Sequence, residues 1–207
     1  MTGRLQVVAT PIGNLADVTL RALRVLREAD AILAEDTRRT RALCAHHGVA
    51  TPLRAFHAHS ADAVIAALVE ELGGAKLALV SDAGTPLVSD PNTALVAAAA
   101  ARGVTVEPIP GPSAPLAALV ASGLRIGAFR FLGFLPRSGA KRRAAIEGIA
   151  RSVEASVLFE AANRLPETLA ELAGAMPERP AAVARGLTKL PEEIARGAPA
   201  ALPARYA

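Results

Sequence analysis

Three segments of the sequence combine glycine and proline with small hydroxyl and carboxylate side chains. They read Thr10-Pro-Ile-Gly-Asn, Ser81-Asp-Ala-Gly-Thr-Pro-Leu-Val-Ser-Asp-Pro and Pro110-Gly-Pro-Ser-Ala. Each follows a short apolar run typical of a buried strand, and glycine lets a backbone come close to a ligand. Since ligand sites of α/β proteins lie at the carboxyl ends of strands, the segments together predict a ligand crevice at one sheet edge.

Other common sites are disfavoured by the residues present. The chain has neither Gly-x-Gly-x-x-Gly nor Gly-x-x-x-x-Gly-Lys-Ser/Thr, which argues against ordinary dinucleotide and P-loop binding. The lone Cys44 excludes an internal disulfide and a cysteine-rich zinc site, and we interpret it as a helix-packing residue. His57 and His59 alternate like one face of a strand; without a third ligand, they predict solvated or RNA-facing histidines rather than a metal pair.

Positive charge is concentrated in the stretch Arg125–Arg151, although the whole chain has 23 Lys and Arg against 19 Asp and Glu. Seven cations stand there against one anion, Glu147: Arg125, Arg130, Arg137, Lys141, Arg142, Arg143 and Arg151. A second cluster holds Arg38, Arg39 and Arg41. Such clusters favour phosphate contacts with a polyanion over a merely solvated surface. Pro, Ser and Gly around Lys141 predict a mobile arm that docks RNA.

The elements that must position the loops alternate between strand and helix as far as residue 109. The apolar patterns predict strands over 5–9, 31–34, 53–57, 77–80 and 104–109, with helices over 19–29, 39–47, 61–72 and 93–102. This order predicts an α/β fold with a mostly parallel sheet. Beyond it, helices over 114–122, 141–149 and 166–173 and strands over 129–134, 156–159 and 181–184 predict an α+β unit with a mixed sheet. We therefore expect domains at 1–110 and 111–207.

Composition excludes several classes of protein. An apolar fraction of 52% with 20% charged residues excludes a disordered chain. No apolar run approaches the roughly 20 residues of a membrane span, and the first ten residues lack the apolar core of a signal peptide. We expect a cytoplasmic protein.

At the level of motifs, the sequence resembles one family over about residues 5–197. The matching strings are Val8-Ala-Thr-Pro-Ile-Gly-Asn-Leu-Ala-Asp-Val-Thr-Leu-Arg-Ala-Leu, Ala34-Glu-Asp-Thr-Arg, Leu79-Val-Ser-Asp-Ala-Gly-Thr-Pro-Leu-Val-Ser-Asp-Pro, Pro108-Ile-Pro-Gly-Pro-Ser-Ala, Gly133-Phe-Leu-Pro-Arg, Phe159-Glu and Leu187-Thr-Lys-Leu. They resemble the tetrapyrrole-methylase-like class III S-adenosylmethionine-dependent methyltransferases, and within them the group that methylates small-subunit ribosomal RNA.

The resemblance implies two α/β domains, a homodimer, and S-adenosylmethionine in the cleft between the domains. It implies methyl transfer to the ribose 2′-hydroxyl of a cytidine in the decoding region of 16S rRNA, so the partner would be 16S rRNA or the small ribosomal subunit. The cofactor contacts that it implies are Pro11, Asp82, Gly84, Thr85, Pro86, Val88, Ser89, Ser113, Ala114, Phe159, Glu160 and the backbone of Ala184–Leu187, with Leu187. The RNA contacts that we expect are Arg38, Arg137, Lys141, Arg142 and Arg143.

Some group should accept the proton of the attacking hydroxyl. The candidates within the matching strings are Glu35, Asp36, Glu160 and Lys189, of which we place Glu35, Asp36 and Lys189 at the catalytic centre. Asp36 could instead cap the following helix, and Lys189 could bind phosphate. We favour the Glu35–Arg38 strand end as the part that faces the substrate.

Two departures from the family pattern concern these regions. Glu160-Ala-Ala-Asn-Arg stands where the family has Glu-Ser-Pro-His-Arg, and Ala184-Arg-Gly-Leu-Thr-Lys where it has Ala-Arg-Glu-Leu-Thr-Lys. They weaken any role for the side chains at Asn163 and Gly186. Family members also continue beyond the equivalent of Arg196-Gly-Ala-Pro, so an RNA-binding segment is expected to lie outside this chain. Two alternative functions stay open: a tetrapyrrole methyltransferase of the same fold, and an RNA-binding module without catalysis.

Overall fold

The computed structural model describes residues 3–57, 61–89, 93–202 and 206. His59 and the end of the segment that begins at Ser81 lie outside these residues. The contacts divide the chain into two compact units, Met1–Ser113 and Ala114–Ala207. The elements of the first unit are β1 (Arg4–Val8), α1 (Leu20–Glu28), β2 (Ala31–Ala34), α2 (Thr37–His46), β3 (Leu53–Ala55), α3 (Asp62–Glu71), β4 (Lys76–Val80), α4 (Thr93–Ala101) and β5 (Thr105–Ile109).

The strands of the first unit form one parallel sheet in the order β3-β2-β4-β1-β5. Helices α1 and α2 pack on one face, against Val8, Ile32 and Val80. Helices α3 and α4 pack on the other face, against Leu5 and Leu33 among others. Because both faces of the sheet are covered, the inner strands β2 and β4 contain continuous apolar runs rather than alternating ones. The predicted parallel α/β fold is confirmed.

Two side chains determine where the first helices begin. The Thr19 hydroxyl accepts a hydrogen bond from the Ala22 amide at the start of α1. The Asp36 carboxylate accepts one from the Arg38 amide at the start of α2. Such N-caps satisfy amides that have no partner within the helix.

The second unit contains α5 (Ala114–Ser122), β6 (Phe129–Phe134), α6 (Gly139–Arg151), β7 (Ala155–Phe159), α7 (Leu165–Ala175), β8 (Ala181–Arg185) and β9 (Glu193–Gly197). In place of the predicted mixed sheet, its described strands form a parallel pair, β6 with β7, and an antiparallel pair, β8 with β9. Strand β9 was missed because Glu-Ile-Ala-Arg-Gly has one large apolar residue, too few for a strand pattern. No described helix is both long and apolar enough to span a membrane.

Candidate functional site

The three breaker-rich segments form a first loop from Thr10, a second from Ser81 and a third from Pro110. The first two loops are joined where the central strands β1 and β4 end. The amide of Thr10 donates to the Gly84 carbonyl at 2.9 Å, and the Gly84 amide donates to the Thr10 carbonyl at 3.0 Å. The Thr10 hydroxyl also donates to the Ser81 carbonyl at 3.2 Å. Since β1 and β4 lead to helices on opposite faces of the sheet, this edge has the geometry at which doubly wound proteins bind ligands.

The third loop meets the second at the next residue. The Thr85 hydroxyl donates to the Pro112 carbonyl at 3.2 Å. Gly84 has a φ of +79°, and a Cβ there would lie 3.4 Å from Ile12 Cγ2 and 3.8 Å from the Pro112 carbonyl oxygen. A glycine therefore leaves bare backbone between the three loops. The structure brings the predicted loops together, with Pro11 beside the Thr10–Gly84 bridge and Ser113 directly after Pro112.

The second loop continues in a conformation that non-glycine residues rarely adopt. Leu87 has a φ of 70° and Ser89 a φ of 59°. Pro86 is buried, whereas Val88 and Ser89 are exposed. Non-glycine residues in this left-handed region are typical of functional loops.

A carboxylate of the second loop holds the end of β2. The Asp82 carboxylate accepts a hydrogen bond from the Asp36 amide at 3.0 Å, and its other oxygen lies 3.8 Å from Arg39 Nη1. Asp82 thus braces the loop after β4 against the start of α2. The predicted cofactor contact of Asp82 stays a prediction.

Asp36 is engaged as the helix cap. Its Oδ1 accepts from the Arg38 amide at 2.9 Å and from Arg38 Nε at 3.0 Å, while Oδ2 accepts from Arg38 Nη2 at 2.9 Å. The hydrogen bonds from the Arg38 side chain and amide lower the pKa of Asp36 from 3.8 to about 2. Because a carboxylate with so low a pKa is a weak proton acceptor, the geometry favours the capping alternative over a catalytic role for Asp36.

Among the residues that the structure describes, the carboxylate of Glu35, unlike that of the adjacent Asp36, is not engaged by another side chain or amide. It is half-buried at the end of β2 and has no hydrogen bond or ion pair within the described residues. Of the two adjacent carboxylates, Glu35 is the one left available to a ligand.

The described residues hold no group of three or more His, Cys, Asp or Glu side chains arranged for a metal ion. His57 is exposed, and Cys44 is buried in the core under α1, where burial raises the pKa of its thiol.

In the second unit, the predicted RNA contact Arg142 is buried in an ionic network, so that prediction is wrong. The side chains of Arg142 and Glu160 are each 4% exposed and lie 3.8 Å apart. Arg142 Nε donates to Glu171 at 2.7 Å, its Nη2 donates to the Thr168 hydroxyl at 2.8 Å, and its Nη1 donates to the Pro136 carbonyl at 3.1 Å. A guanidinium enclosed in this way cannot reach an RNA phosphate.

The same network occupies the carboxylate of Glu160 at the end of β7. It accepts from the Thr168 hydroxyl at 2.6 Å and from the Ala161 amide at 2.9 Å, and it lies 3.6 Å from Arg164 Nη1. These contacts commit Glu160 to its own unit, so a role as proton acceptor finds no support. The adjacent Phe159 packs edge-on against Phe131, with ring centroids 5.0 Å apart.

From Gly139 onward, the segment predicted to be a mobile arm belongs to helix α6, in keeping with the helix predicted over 141–149. Lys141 and Arg143 lie on α6, exposed on either side of the buried Arg142, while Arg137 lies exposed before the helix. Their contacts with RNA stay predictions. The prediction of a mobile arm gave too little weight to this helix, which has a buried side with Ile146 and Ile149.

The β8–β9 connection explains one departure from the family pattern. Gly186 has a φ of 61°, and a Cβ there would lie 2.8 Å from the Pro191 carbonyl oxygen. Only glycine fits this turn, which holds Leu187 half-buried and Lys189 exposed. The roles predicted for Leu187, Lys189, Ala114 and Phe159 stay predictions.

The sequence did not identify the partners of Arg142 and Asp82. Thr168 and Glu171 complete the Arg142 network, and Arg39 reaches Asp82. The only signal for the first two is their spacing of three residues on α7, which puts both on the side that faces Arg142.

Comparison with known proteins matches this chain to one family of methylases and to relatives that share one name. A sequence model of the tetrapyrrole (corrin/porphyrin) methylases matches residues 4–203. Ribosomal RNA small subunit methyltransferase I of Xylella fastidiosa (strain Temecula1) is 49% identical over 168 residues, covering 81% of this chain and 62% of that protein. The protein of the same name from Halalkalibacterium halodurans is 48% identical over 168 residues, covering 81% and 58%. The chain spans about three fifths of the length of these curated relatives.

Solved structures share the fold at low sequence identity. A cobalt precorrin-4 methyltransferase of cobalamin biosynthesis has a TM-score of 0.74 and 16% identity, covering 98% of this chain and 88% of that chain. Uroporphyrin-III C-methyltransferase from Thermus thermophilus, complexed with S-adenosyl homocysteine, has a TM-score of 0.68 and 19% identity, covering 99% and 92%.

The Asp36 pair predicts a pH-dependent contribution to stability. Asp36→Asn keeps a capping side chain but removes the charge that pairs with Arg38. Because the folded-state pKa of about 2 lies below the usual 3.8, the contribution of this charge is present above pH 4 and is lost as the pH falls towards 2. Urea unfolding should show the variant less stable than the parent chain at pH 7, with a difference that shrinks below pH 4. A difference that does not change with pH would contradict the assigned ion pair.

The buried network predicts that replacing Arg142 lowers the stability of the protein far more than replacing the adjacent Arg143. Arg142→Met removes one of the two guanidinium groups beside the buried Glu160, together with the donors to Glu171 and Thr168, and should lower the free energy of unfolding by about 3–5 kcal/mol. The matched control Arg143→Met, on the exposed side of the same helix turn, should change it by no more than about 0.5 kcal/mol. Adding Glu160→Leu to Arg142→Met should recover part of the loss. Equal effects of the two single changes in urea unfolding would refute the network's importance.

Proposed function

Because the chain belongs to the family of tetrapyrrole (corrin/porphyrin) methylases, we propose that it is an S-adenosylmethionine-dependent methyltransferase acting on small-subunit ribosomal RNA. The observation that carries the proposal is the 49% identity to a ribosomal RNA small subunit methyltransferase I over 81% of this chain. The solved cobalt precorrin-4 methyltransferase and a solved uroporphyrin-III C-methyltransferase from Thermus thermophilus are 16% and 23% identical. More specifically, we propose that the methyl group is transferred to the ribose 2′-hydroxyl of a cytidine in the decoding region of 16S rRNA.

The residues of the first unit fit such a cofactor. S-adenosylmethionine is largely neutral apart from its amino-acid end and sulfonium, so it needs backbone groups and hydroxyls more than a strong charge. The joined loops offer bare backbone at Gly84 and at Gly111, where a Cβ would lie 3.1 Å from Ala9 Cβ. When bound, the cofactor supplies an activated methyl group. Pro11, Gly84, Thr85 and Ser113 would hold it against the edge of the sheet.

The chain's own contribution to the chemistry is chiefly positioning, since methyl transfer needs an aligned nucleophile. Glu35 stands at the end of the neighbouring strand with its carboxylate available, and we assign it to accept the proton of the ribose hydroxyl. Asp36 and Asp82 hold this strand end in place through the 3.0 Å hydrogen bond from the Asp36 amide to the Asp82 carboxylate. Lys189 is the remaining candidate of the second unit.

A tetrapyrrole substrate is the second candidate, because the likeness to the precorrin methyltransferase covers 98% of this chain. Incubation with radiolabelled S-adenosylmethionine and either small ribosomal subunits or a uroporphyrin precursor separates the two. We expect label in the RNA and none in the tetrapyrrole, and the opposite result would overturn the proposal. Label in neither, together with RNA binding, would favour the non-catalytic RNA-binding module.

The assignment of Glu35 makes a separate prediction. Glu35→Gln should lower the rate of RNA methylation by at least about tenfold, because positioned proton acceptors typically contribute a hundredfold or more. Cofactor affinity should be unchanged. An unchanged rate at saturating RNA would remove Glu35 from the mechanism.

Gly84 tests the position of the cofactor. Gly84→Leu puts a side chain between the three loops and should abolish cofactor binding in calorimetry while the fold is retained. Gly48→Leu is the matched control, because Gly48 also has a positive φ, of 64°, but its Cβ would meet open space at the end of α2. If both variants bind the cofactor like the parent chain, the loops after β1 and β4 do not form the cofactor site.

We also propose that the protein acts in the cytoplasm as a homodimer, which the family resemblance supports. Light scattering at micromolar concentration should give twice the 21.2 kDa mass of the chain, and a monomeric mass would refute the dimer.

A further inference from the structure

The two faces of the first unit carry opposite charge. Helices α1 and α2, on one face of the sheet, contain six arginines and one acidic residue, Glu28. Helices α3 and α4, on the other face, contain three acidic residues and no arginine or lysine. We call the six exposed arginines the arginine face; they are Arg21, Arg24, Arg27, Arg38, Arg39 and Arg41.

This arrangement does not favour the stability of the isolated unit. Arg21, Arg24 and Arg27 follow one another at a spacing of three residues, and so do Arg38 and Arg41, which makes like charges neighbours on each helix. Arg21, Arg38 and Arg39 lie in the first turns of their helices, where the helix dipole disfavours cations. A charge pattern that is unfavourable in isolation becomes favourable when an extended anion covers it.

The six arginines differ in how far they are engaged. Arg21 donates to the Pro108 carbonyl and Arg27 to the His47 carbonyl, each at 2.7 Å. Arg38 pairs with Asp36, and Arg39 lies 3.8 Å from Asp82. Arg24 and Arg41 have no hydrogen bond or ion pair within the described residues. The first four are held in place by the unit, and the last two are available to a partner.

We propose that the arginine face is the surface on which the first unit docks the phosphate backbone of the RNA substrate. The inference rests on the proposed function and adds the surface to it. The face runs up to the candidate site, because Asp36, the N-cap of α2, donates its amide hydrogen to the Asp82 carboxylate of the second loop. Guanidinium groups suit the role, since their planar donors bind phosphate oxygens two at a time.

The apolar residues of the two helices favour RNA over an anionic membrane. A helix that lies on a bilayer inserts an apolar side into it. Here the apolar sides of α1 and α2 pack on the sheet through Leu23, Leu26 and Leu43, and Leu20 is the one large apolar side chain exposed on these helices. The face therefore offers charge without an apolar stripe.

The test uses Arg24→Gln and Arg41→Gln, singly and together, in the full 207-residue chain. The matched control is Arg102→Gln, since Arg102 is also exposed but follows α4 on the opposite face. Binding to a 16S rRNA decoding-region fragment is followed by fluorescence anisotropy over a range of salt concentrations. Removing one phosphate contact should reduce the slope of log affinity against log salt by about 0.7–0.9, and weaken binding about fivefold near 0.15 M salt.

We expect that reduction for both test variants, a nearly doubled one for the pair, and none for Arg102→Gln. A double variant with the slope and affinity of Arg102→Gln would overturn the docking surface, whatever the methylation assay shows. Conversely, a parent chain that transfers no methyl group, together with a double variant whose salt slope is still reduced, would count against the proposed function alone. Tighter binding to phosphatidylserine vesicles than to RNA, abolished in the same double variant, would overturn RNA as the partner.

Discussion

The site depends on one pair of backbone hydrogen bonds, between Thr10 and Gly84. These bonds join the loops after β1 and β4, which would otherwise diverge because the two strands lead to helices on opposite faces of the sheet. Thr85 then attaches the third loop through Pro112, and Asp82 attaches the end of β2 through the Asp36 amide. Four strand ends are thereby held in one arrangement by main-chain and short side-chain contacts. Little of this depends on long, flexible side chains, so the arrangement is set by contacts within the first unit itself.

The two units differ in how deeply they bury the ion pairs described above. In the first unit, the charged pair beside the candidate site, Asp36 with Arg38, is partly exposed. In the second, Arg142, Glu160 and Thr168 form a buried network that ties α6, β7 and α7 together. A buried guanidinium requires this full set of partners, since an unpaired charge in the interior is strongly unfavourable. The network accordingly explains both why Arg142 is enclosed and why Glu160 is unavailable for proton transfer.

Sequence reasoning worked best where local pattern and tertiary packing agree. The parallel sheet of the first unit could be predicted because its strands are short apolar runs between breaker-rich loops, and the gathering of those loops follows from parallel topology. The Arg125–Arg151 stretch shows the limit. A count of cations treats every charge as exposed, yet Arg142 is enclosed, Arg151 pairs with Glu147, and Arg130 donates to Ser156 and the Gly148 carbonyl. Partners such as Glu171 lie far along the chain, and no local pattern identifies them.

The left-handed residues of the second loop have an energetic consequence. Holding Leu87 and Ser89 at positive φ costs about 1–2 kcal/mol per residue relative to the ordinary helical region. That cost is met when the first unit folds, by the packing of the sheet and its helices, and not when a ligand binds. A ligand that contacts Leu87 or Ser89 therefore does not have to supply this conformational cost, so more of the interaction energy is expressed as affinity.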